Sequence, residues 1–226
     1  MMFWADFYFM ESNCPLMEQM IFFHDHSMII IFMILIFLFL SLFDLVNNSF
    51  LNLSLIENQI VEMVWTLLPM FVLVFIAAPS LRLLYLMEEI FVSDMSVKVF
   101  GFQWYWCYEY MDFGLKLECF MESNEDLALE FRILETDDFL FLPFNAFVSL
   151  FISSNDVIHS WTVQSLGVKT DAVPGRLNQL NLFFFRPGLF FGQCSEICGA
   201  NHSFMPISVM ITSIDMFILY LNYFLD

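Results

Sequence analysis

Gly192-Gln193-Cys194-Ser195-Glu196-Ile197-Cys198-Gly199-Ala200-Asn201-His202-Ser203-Phe204-Met205-Pro206 brings two thiols, an imidazole and a thioether within twelve residues. Thiolate and thioether sulfurs are soft donors and imidazole suits late transition metals, so Cys-x3-Cys-x3-His-x2-Met selects copper or zinc over magnesium or calcium. The methionine tips the choice toward copper. A metal site on a single loop needs a ligand from elsewhere, and His159 in Asp156-Val157-Ile158-His159-Ser160-Trp161 is the best candidate. Two Cys, two His and one Met exceed by one sulfur what a mononuclear blue copper site takes. Two readings of these donors stay open. Bridging thiolates could hold two copper ions, or His159, Cys194, Cys198 and His202 could form a tetrahedral zinc site with Met205 filling core space.

The surroundings of this loop read as β structure. From Ser96 the apolar period becomes two, and Phe100, Phe102, Trp104, Trp106, Tyr108 and Tyr110 fall on one face of a predicted strand, with Tyr105 on the other. Further strands are predicted over Phe147 to Ser153, Leu177 to Phe185, Leu189 to Gln193 and Met205 to Thr212, with turns at Val173-Pro174-Gly175 and Arg186-Pro187-Gly188. Short strands punctuated this way imply an antiparallel sandwich or Greek-key barrel. A short apolar helix over about Ser213 to Phe224 is expected to pack on a partner.

The first part of the chain is written for lipid. Of 226 residues 60% are hydrophobic, and uncharged runs from His26 to Phe43 and from Met63 to Leu81 are each long enough to cross a bilayer as a helix. The predicted spans are about 25–46 and 62–87, with Pro69 kinking the second. They divide the chain into an N-terminal segment with a helical hairpin, 1–91, and a β domain, 92–226. A hairpin leaves the N-terminus and the β domain on one side of the membrane. All seven basic residues lie from Arg82 onward, which by positive charge alone would place that side inside. Cys14, Cys107 and Cys119 have no clear partners and read as free thiols, a Cys107–Cys119 disulfide being the alternative. No nucleic-acid partner is expected of a chain with a net charge of −18.

The loop Gly192–Pro206 resembles the copper A loop of mitochondrial-type cytochrome c oxidase subunit II. The resemblance extends to Gly101-Phe102-Gln103-Trp104-Tyr105-Trp106, to Ser165-Leu166-Gly167-Val168-Lys169-Thr170-Asp171-Ala172-Val173-Pro174-Gly175-Arg176-Leu177-Asn178-Gln179, and to the two apolar segments. It implies an N-terminal transmembrane α-helical hairpin followed by an all-β cupredoxin-like Greek-key domain, with the copper loop joining the last two strands. It also implies a mitochondrial inner-membrane location, with the copper domain and N-terminus in the intermembrane space. The N-terminus lacks the Arg-rich pattern of an imported precursor, which fits synthesis inside the organelle.

The resemblance carries residue roles. Two copper ions would be bridged by Cys194 and Cys198, one completed by His159 and Met205 and the other by His202 and the Glu196 carbonyl. The Glu196 side chain would ligate a magnesium ion shared with subunit I, with Asp171 near that ion. Trp104 would receive electrons from cytochrome c, beside Tyr105, while Trp106 reads better as core. Glu62 matches a position at the entrance of a proton channel in subunit I, and also suits the positive end of a helix. Between Val92 and Asp226 sixteen acidic residues face six basic ones, a charge that attracts a basic partner such as cytochrome c. Glu109, Asp112, Asp137, Asp138 and Asp156 are the candidate docking acids. His24-Asp25-His26 reads as an interfacial helix start rather than a metal motif. Phe102, Gln164 and Cys107 depart from the residues usual in relatives, and none is a copper ligand. The implied function is electron entry into cytochrome c oxidase, with oxygen reduction and proton pumping in the partner. Two rivals are a quinol-oxidase subunit II, which lacks the copper ligands, and a membrane-anchored copper chaperone, which has no use for the Trp104 patch.

Overall fold

The computed structural model describes residues 8–50, 52, 54, 56–122 and 131–225. They form two compact units, one of residues Gln19–Glu88 and one containing residues 8–18 together with the chain from Glu89 onward.

The first unit holds the helical hairpin. Helix α1 spans Pro15–Asn47 and α2 spans Gln59–Glu88. At 1.5 Å per residue these helices run about 50 Å and 45 Å, well beyond a hydrocarbon core of about 30 Å. This is why α1 starts ten residues before the predicted span: Pro15 suits a first helical position, and Glu18 suits the positive helix end. The triplet His24-Asp25-His26 therefore lies inside a helix and not at its start. α2 begins at an Asn58 cap, whose Oδ1 accepts the Ile60 and Val61 N–H groups. It has no buried residue, and both helices expose Leu, Ile and Phe around their circumference, the surface of a membrane helix rather than of a soluble core.

α2 continues through both Pro69 and Pro79. Pro79 has no N–H, so the Phe75 carbonyl four residues earlier lacks its helical donor. His26 Nε2 lies 3.0 Å from that oxygen. The imidazole thus supplies from α1 the bond that the proline removed, and links the two helices at one depth.

The second unit is the β domain. Its strands among the described residues are β1 Met95–Phe102, β2 Tyr105–Tyr110, β3 Leu115–Cys119, β4 Leu140–Pro143, β5 Phe147–Ser154, β6 His159–Val163, β7 Val168–Ala172, β8 Asn178–Phe183, β9 Gly188–Gln193 and β10 Pro206–Thr212. They make a five-stranded sheet in the order β3-β2-β1-β5-β8, a three-stranded sheet β4-β10-β9, and the pair β6-β7. The pairing is mixed, not wholly antiparallel, because β1 runs parallel to β5 and β4 parallel to β10. Each of these pairs is separated in the chain by a long excursion, which a parallel return requires.

The predicted continuous strand from Ser96 to Tyr110 is a hairpin that turns at Gln103-Trp104. In its register Val97, Val99 and Gly101 face Tyr110, Tyr108 and Trp106, whereas Phe100 and Phe102 face Cys107 and Tyr105. Opposed residues share a face. The turn therefore puts Trp106, Tyr108 and Tyr110 in the core with the valines and leaves Phe100 and Phe102 on the outer face, splitting the aromatic row that the period of two had joined. Trp106 is fully buried. All five cysteines are free, and the register sets Cys107 opposite Glu118 and Cys119 opposite Trp106, so these two thiols point to opposite faces. Helix α3, Ile214–Leu225, buries Phe217 and Leu221 against its own domain, with Tyr220 stacked on Phe141. Ile218, Leu219 and Tyr223 remain exposed.

The boundary expected near residue 91 is incomplete, because residues 8–18 belong with the β domain. Asn13 is fully buried and acts as a surrogate strand residue. Its N–H donates to the Ser165 carbonyl at 3.3 Å, and its carbonyl accepts from Phe185 at 3.2 Å. Its amide side chain donates to the Arg186 carbonyl at 2.9 Å and accepts the Arg186 N–H at 3.0 Å. Arg186 in turn pairs with Glu11 at 2.8 Å. Met17 packs against Gly167, whose left-handed backbone ends a short 3-10 turn.

Two outcomes are expected. Asn13→Ala costs about 2 kcal/mol in urea unfolding of the full chain, since two side-chain hydrogen bonds disappear inside a dry contact. His26→Ala costs about 1 kcal/mol in detergent unfolding, but close to nothing in the Pro79→Ala background, where a backbone N–H again reaches Phe75.

Candidate metal centre

β9 and β10 are neighbours in one sheet, and the loop between them, Cys194 to Met205, folds back over the start of β6. The Ser195 N–H donates to the Ser160 carbonyl at 3.1 Å, which sets Cys194 beside His159. Gly192 makes this approach possible: a Cβ there would lie 1.9 Å from the Thr162 carbonyl oxygen. Gly101 clears the space behind the imidazole, since a Cβ on it would lie 2.8 Å from the ring.

Six donor atoms converge. Cys194 Sγ and Cys198 Sγ are 4.0 Å apart. His159 Nδ1 is 3.9 Å from Cys194 Sγ, and the Glu196 carbonyl oxygen is 3.3 Å from the same sulfur. His202 Nδ1 and Met205 Sδ each lie 3.5 Å from Cys198 Sγ. His159, Cys194 and Cys198 form the metal-ligand cluster found among the described residues, with all three donor atoms within 4.8 Å of one another. The site is dry: His159, Cys194, Cys198 and Met205 are buried, and the Met205 carbonyl lies 3.4 Å from the Trp106 indole nitrogen.

The electrostatics favour anionic sulfur. Burial opposes ionisation of Cys194, but the bonds from His159 and the neighbouring backbone outweigh it and bring the thiol down to about 7. Burial and the charge on Cys194 push Cys198 up to about 12. Burial likewise opposes charging of His159, yet its contacts with Cys194 and Asp156 hold the imidazole above its ordinary value. One thiolate is therefore available near neutral pH, and the second forms when a cation displaces its proton. A donor set with two sulfurs, two imidazole nitrogens, a thioether and one carbonyl suits a soft or borderline metal and falls far short of the roughly six to eight oxygens calcium takes.

The description "Cytochrome C oxidase subunit II, periplasmic domain" matches residues 95–212, and "Cytochrome C oxidase subunit II, transmembrane domain" matches residues 2–83. The chain belongs to the cytochrome c oxidase subunit II family. It is 53% identical over 223 residues to cytochrome c oxidase subunit 2 of Rhipicephalus sanguineus, covering 98% of this chain and 99% of that one. It is 49% identical over 221 residues to the Drosophila yakuba subunit, covering 97% of each chain. Among solved structures, the periplasmic domain of subunit II from Bradyrhizobium japonicum superposes with a TM-score of 0.56 at 33% identity, covering 60% of this chain and 96% of that one. Subunit II is thus a membrane protein, a component of an oxidase complex, with a cupredoxin-like domain after its helical hairpin.

The other expected site residues of subunit II are spread over several elements. Trp104, half-buried in the β1–β2 turn, lies over the metal loop, because a Cβ on Gly199 would be 3.2 Å from its ring. The preceding Gln103 donates its side-chain amide to the Cys198 carbonyl at 2.7 Å. Tyr105 stacks between Phe102, at 4.8 Å between ring centroids, and Phe120, at 4.4 Å. The Phe120 N–H donates to Asp137 at 2.7 Å, which brings that acid to the same patch. Asp138 follows it, half-buried, its carboxyl held above the ordinary range by burial and by Asp137. Glu109 and Asp112 lie elsewhere, Glu109 near the far end of β2, about 17 Å along the strand from Trp104, and Asp112 in the turn that follows it. Glu109 is paired there with Lys98.

Asp156 is at the turn, but its carboxylate is engaged inward, 2.9 Å from His159 Nε2. The Asp-x-x-His spacing was the available signal. Gln103 and Phe120 carried no such signal. Glu196 is half-buried and Asp171 exposed, and the side-chain carboxylate of neither joins the cluster. Glu62 sits in the first turn of α2, about 39 Å along that helix from Glu88.

Gly199 has φ +130°, a backbone region closed to most side chains, and Gln103 and Trp104 cover it. Gly199→Ala is expected to cost about 2 kcal/mol or more and to shift Trp104 fluorescence, measured together in thermal unfolding of the full chain.

Proposed function

We propose that this chain is the electron-entry subunit of cytochrome c oxidase, taking single electrons from reduced cytochrome c at a dinuclear copper A centre and passing them to haem a of subunit I. The observation that carries the reading is the convergence of both cysteine sulfurs with His159 Nδ1, His202 Nδ1, Met205 Sδ and the Glu196 carbonyl, all beside a half-buried tryptophan. A zinc site would leave Met205 and the Glu196 carbonyl idle. Two copper ions held here by Cys194, Cys198, His159, His202, Met205 and the Glu196 carbonyl would supply a one-electron couple, and that donor set would leave little room for substrate.

The chain's own residues do the rest. The donors come from a loop pinned at Ser195 and from the start of β6, and the burial of His159, Cys194, Cys198 and Met205 shields the sulfurs from water. Trp104, packed on Gly199 next to Cys198, presents an aromatic edge between the protein surface and the sulfurs. The acidic surface speeds the approach of basic cytochrome c at low salt. In this reading Asp137 is the principal docking acid, being at the Tyr105–Phe120 patch, with Asp138 beside it and Glu109 and Asp112 as distant contributors.

Further parts of the assignment rest on the same family reading. The Glu196 carboxylate, a hard oxygen donor, would help hold a magnesium ion shared with subunit I, with Asp171 nearby. Glu62 stands at the entrance of a proton path in subunit I, which with the other oxidase subunits carries out oxygen reduction and proton pumping. The hairpin lies in the mitochondrial inner membrane, with the N-terminus and copper domain in the intermembrane space. Residues 8–18 clasp the β domain, which supports placing both on one side.

The test is copper stoichiometry with electron paramagnetic resonance on the full chain. Two coppers sharing one unpaired electron are expected; one copper, or a silent zinc protein that rejects copper, would overturn the reading. In the intact oxidase, Asp137→Asn is expected to slow electron entry at low salt several-fold more than Asp112→Asn, with the difference vanishing as salt rises.

A further inference from the structure

Asp156 stands three residues before His159, and its carboxylate is used on both oxygens. Oδ1 lies 2.9 Å from His159 Nε2 and also accepts the Val157 N–H at 2.6 Å. Oδ2 accepts the backbone N–H of Gln103 at 2.6 Å. The imidazole between Asp156 and the sulfurs has no freedom to turn. It is fully buried, Gly101 lies against one side of the ring, and Trp106 meets it edge-on at 5.9 Å between centroids.

A neutral imidazole carries one proton, and the nitrogen facing a carboxylate keeps it. Asp156 therefore selects the Nε2–H tautomer and leaves the Nδ1 lone pair directed at Cys194, 3.9 Å away. A carboxylate behind a ligating imidazole also raises the basicity of the ligand. We infer that Asp156 is a positioning residue of the metal centre, orienting His159 through Nε2 while anchoring the Gln103-Trp104 turn through the Gln103 N–H. The acid that charge alone assigns to partner docking thus joins two parts of the electron-entry apparatus: a metal ligand and the turn that carries Trp104. Its outer edge stays partly exposed, so it also adds to the surface potential.

This inference rests on the copper reading above, and the experiment separates the two. Full-length chain and its Asp156→Asn and Asp137→Asn variants are loaded with copper, and chelator competition, paramagnetic resonance and the reduction potential are compared. Asp156→Asn is expected to lower copper affinity 10- to 100-fold, alter the nitrogen hyperfine coupling and raise the potential, because a negative charge behind the ligand is lost. Asp137→Asn, which neutralises an acid that does not touch the imidazole, is expected to leave all three unchanged and to weaken only the salt-dependent encounter with cytochrome c. If Asp156→Asn behaves like Asp137→Asn, the inference is overturned and Asp156 is a docking acid alone.

A measurement on the unaltered protein guards against a variant that fails to fold. Nitrogen electron-nuclear double resonance of histidine-labelled chain is expected to find His159 bound through Nδ1 with an exchangeable proton on Nε2; binding through Nε2 would overturn the inference. A dinuclear signal absent from the unaltered chain would instead overturn the copper reading, and this inference with it.

Discussion

The metal centre depends on one close approach: β9 lies backbone against backbone on β6. Gly192 has room for no side chain over the Thr162 carbonyl, and the next residues of the loop continue that contact through the Ser195–Ser160 bond. Only then do sulfurs from one loop meet an imidazole from a strand 35 residues earlier in the chain. A displaced loop would leave a buried thiolate facing a buried imidazole without a bond between them, and burying unpaired polar groups costs several kcal/mol. The site and the packing of the sheets are therefore one constraint.

Local chemistry was legible where donor type and spacing sufficed. Cys194, Cys198, His202 and Met205 could be read from one loop, and the apolar runs gave both membrane helices. The aromatic row in β1 and β2 was misjoined because a two-residue turn preserves the alternation in sequence while reversing which parity faces the core. Asp156 was read as surface charge because an acid in a polar stretch looks the same whether it faces solvent or a ligand's outer nitrogen. The Asn13 clasp had no local signal at all, since its partners lie more than 150 residues away and its bonds mimic a strand pairing. β4, β6 and β7 are four or five residues long, too short for a period to show.

The membrane hairpin follows a different economy. In lipid an unpaired carbonyl has no water to turn to, so a proline in a spanning helix is tolerated when a neighbour supplies a donor. His26 does this for Phe75, and in doing so it fixes which turn of α1 meets which turn of α2. A histidine near a membrane span invites a functional reading. Here a missing backbone N–H explains it.

The turn at Gln103-Trp104 is bound from two sides by atoms of the candidate metal centre and of the acid beside it. The Gln103 side chain holds the Cys198 carbonyl, its backbone N–H is held by the acid behind His159, and Trp104 covers the Gly199 backbone. A surface turn anchored only by its own strands would move independently of the metal loop, and in the proposed electron-entry role the distance from Trp104 to the sulfurs would vary with it. These three contacts tie the turn to the loop and to the acid behind His159. A rigid donor set suits one-electron chemistry, because little of the surrounding structure then has to rearrange when the charge changes, the same advantage that preorganised groups give other charged sites. The glycines at 101, 192 and 199 thus share one role: each marks a place where a second chain segment had to come closer than a side chain allows.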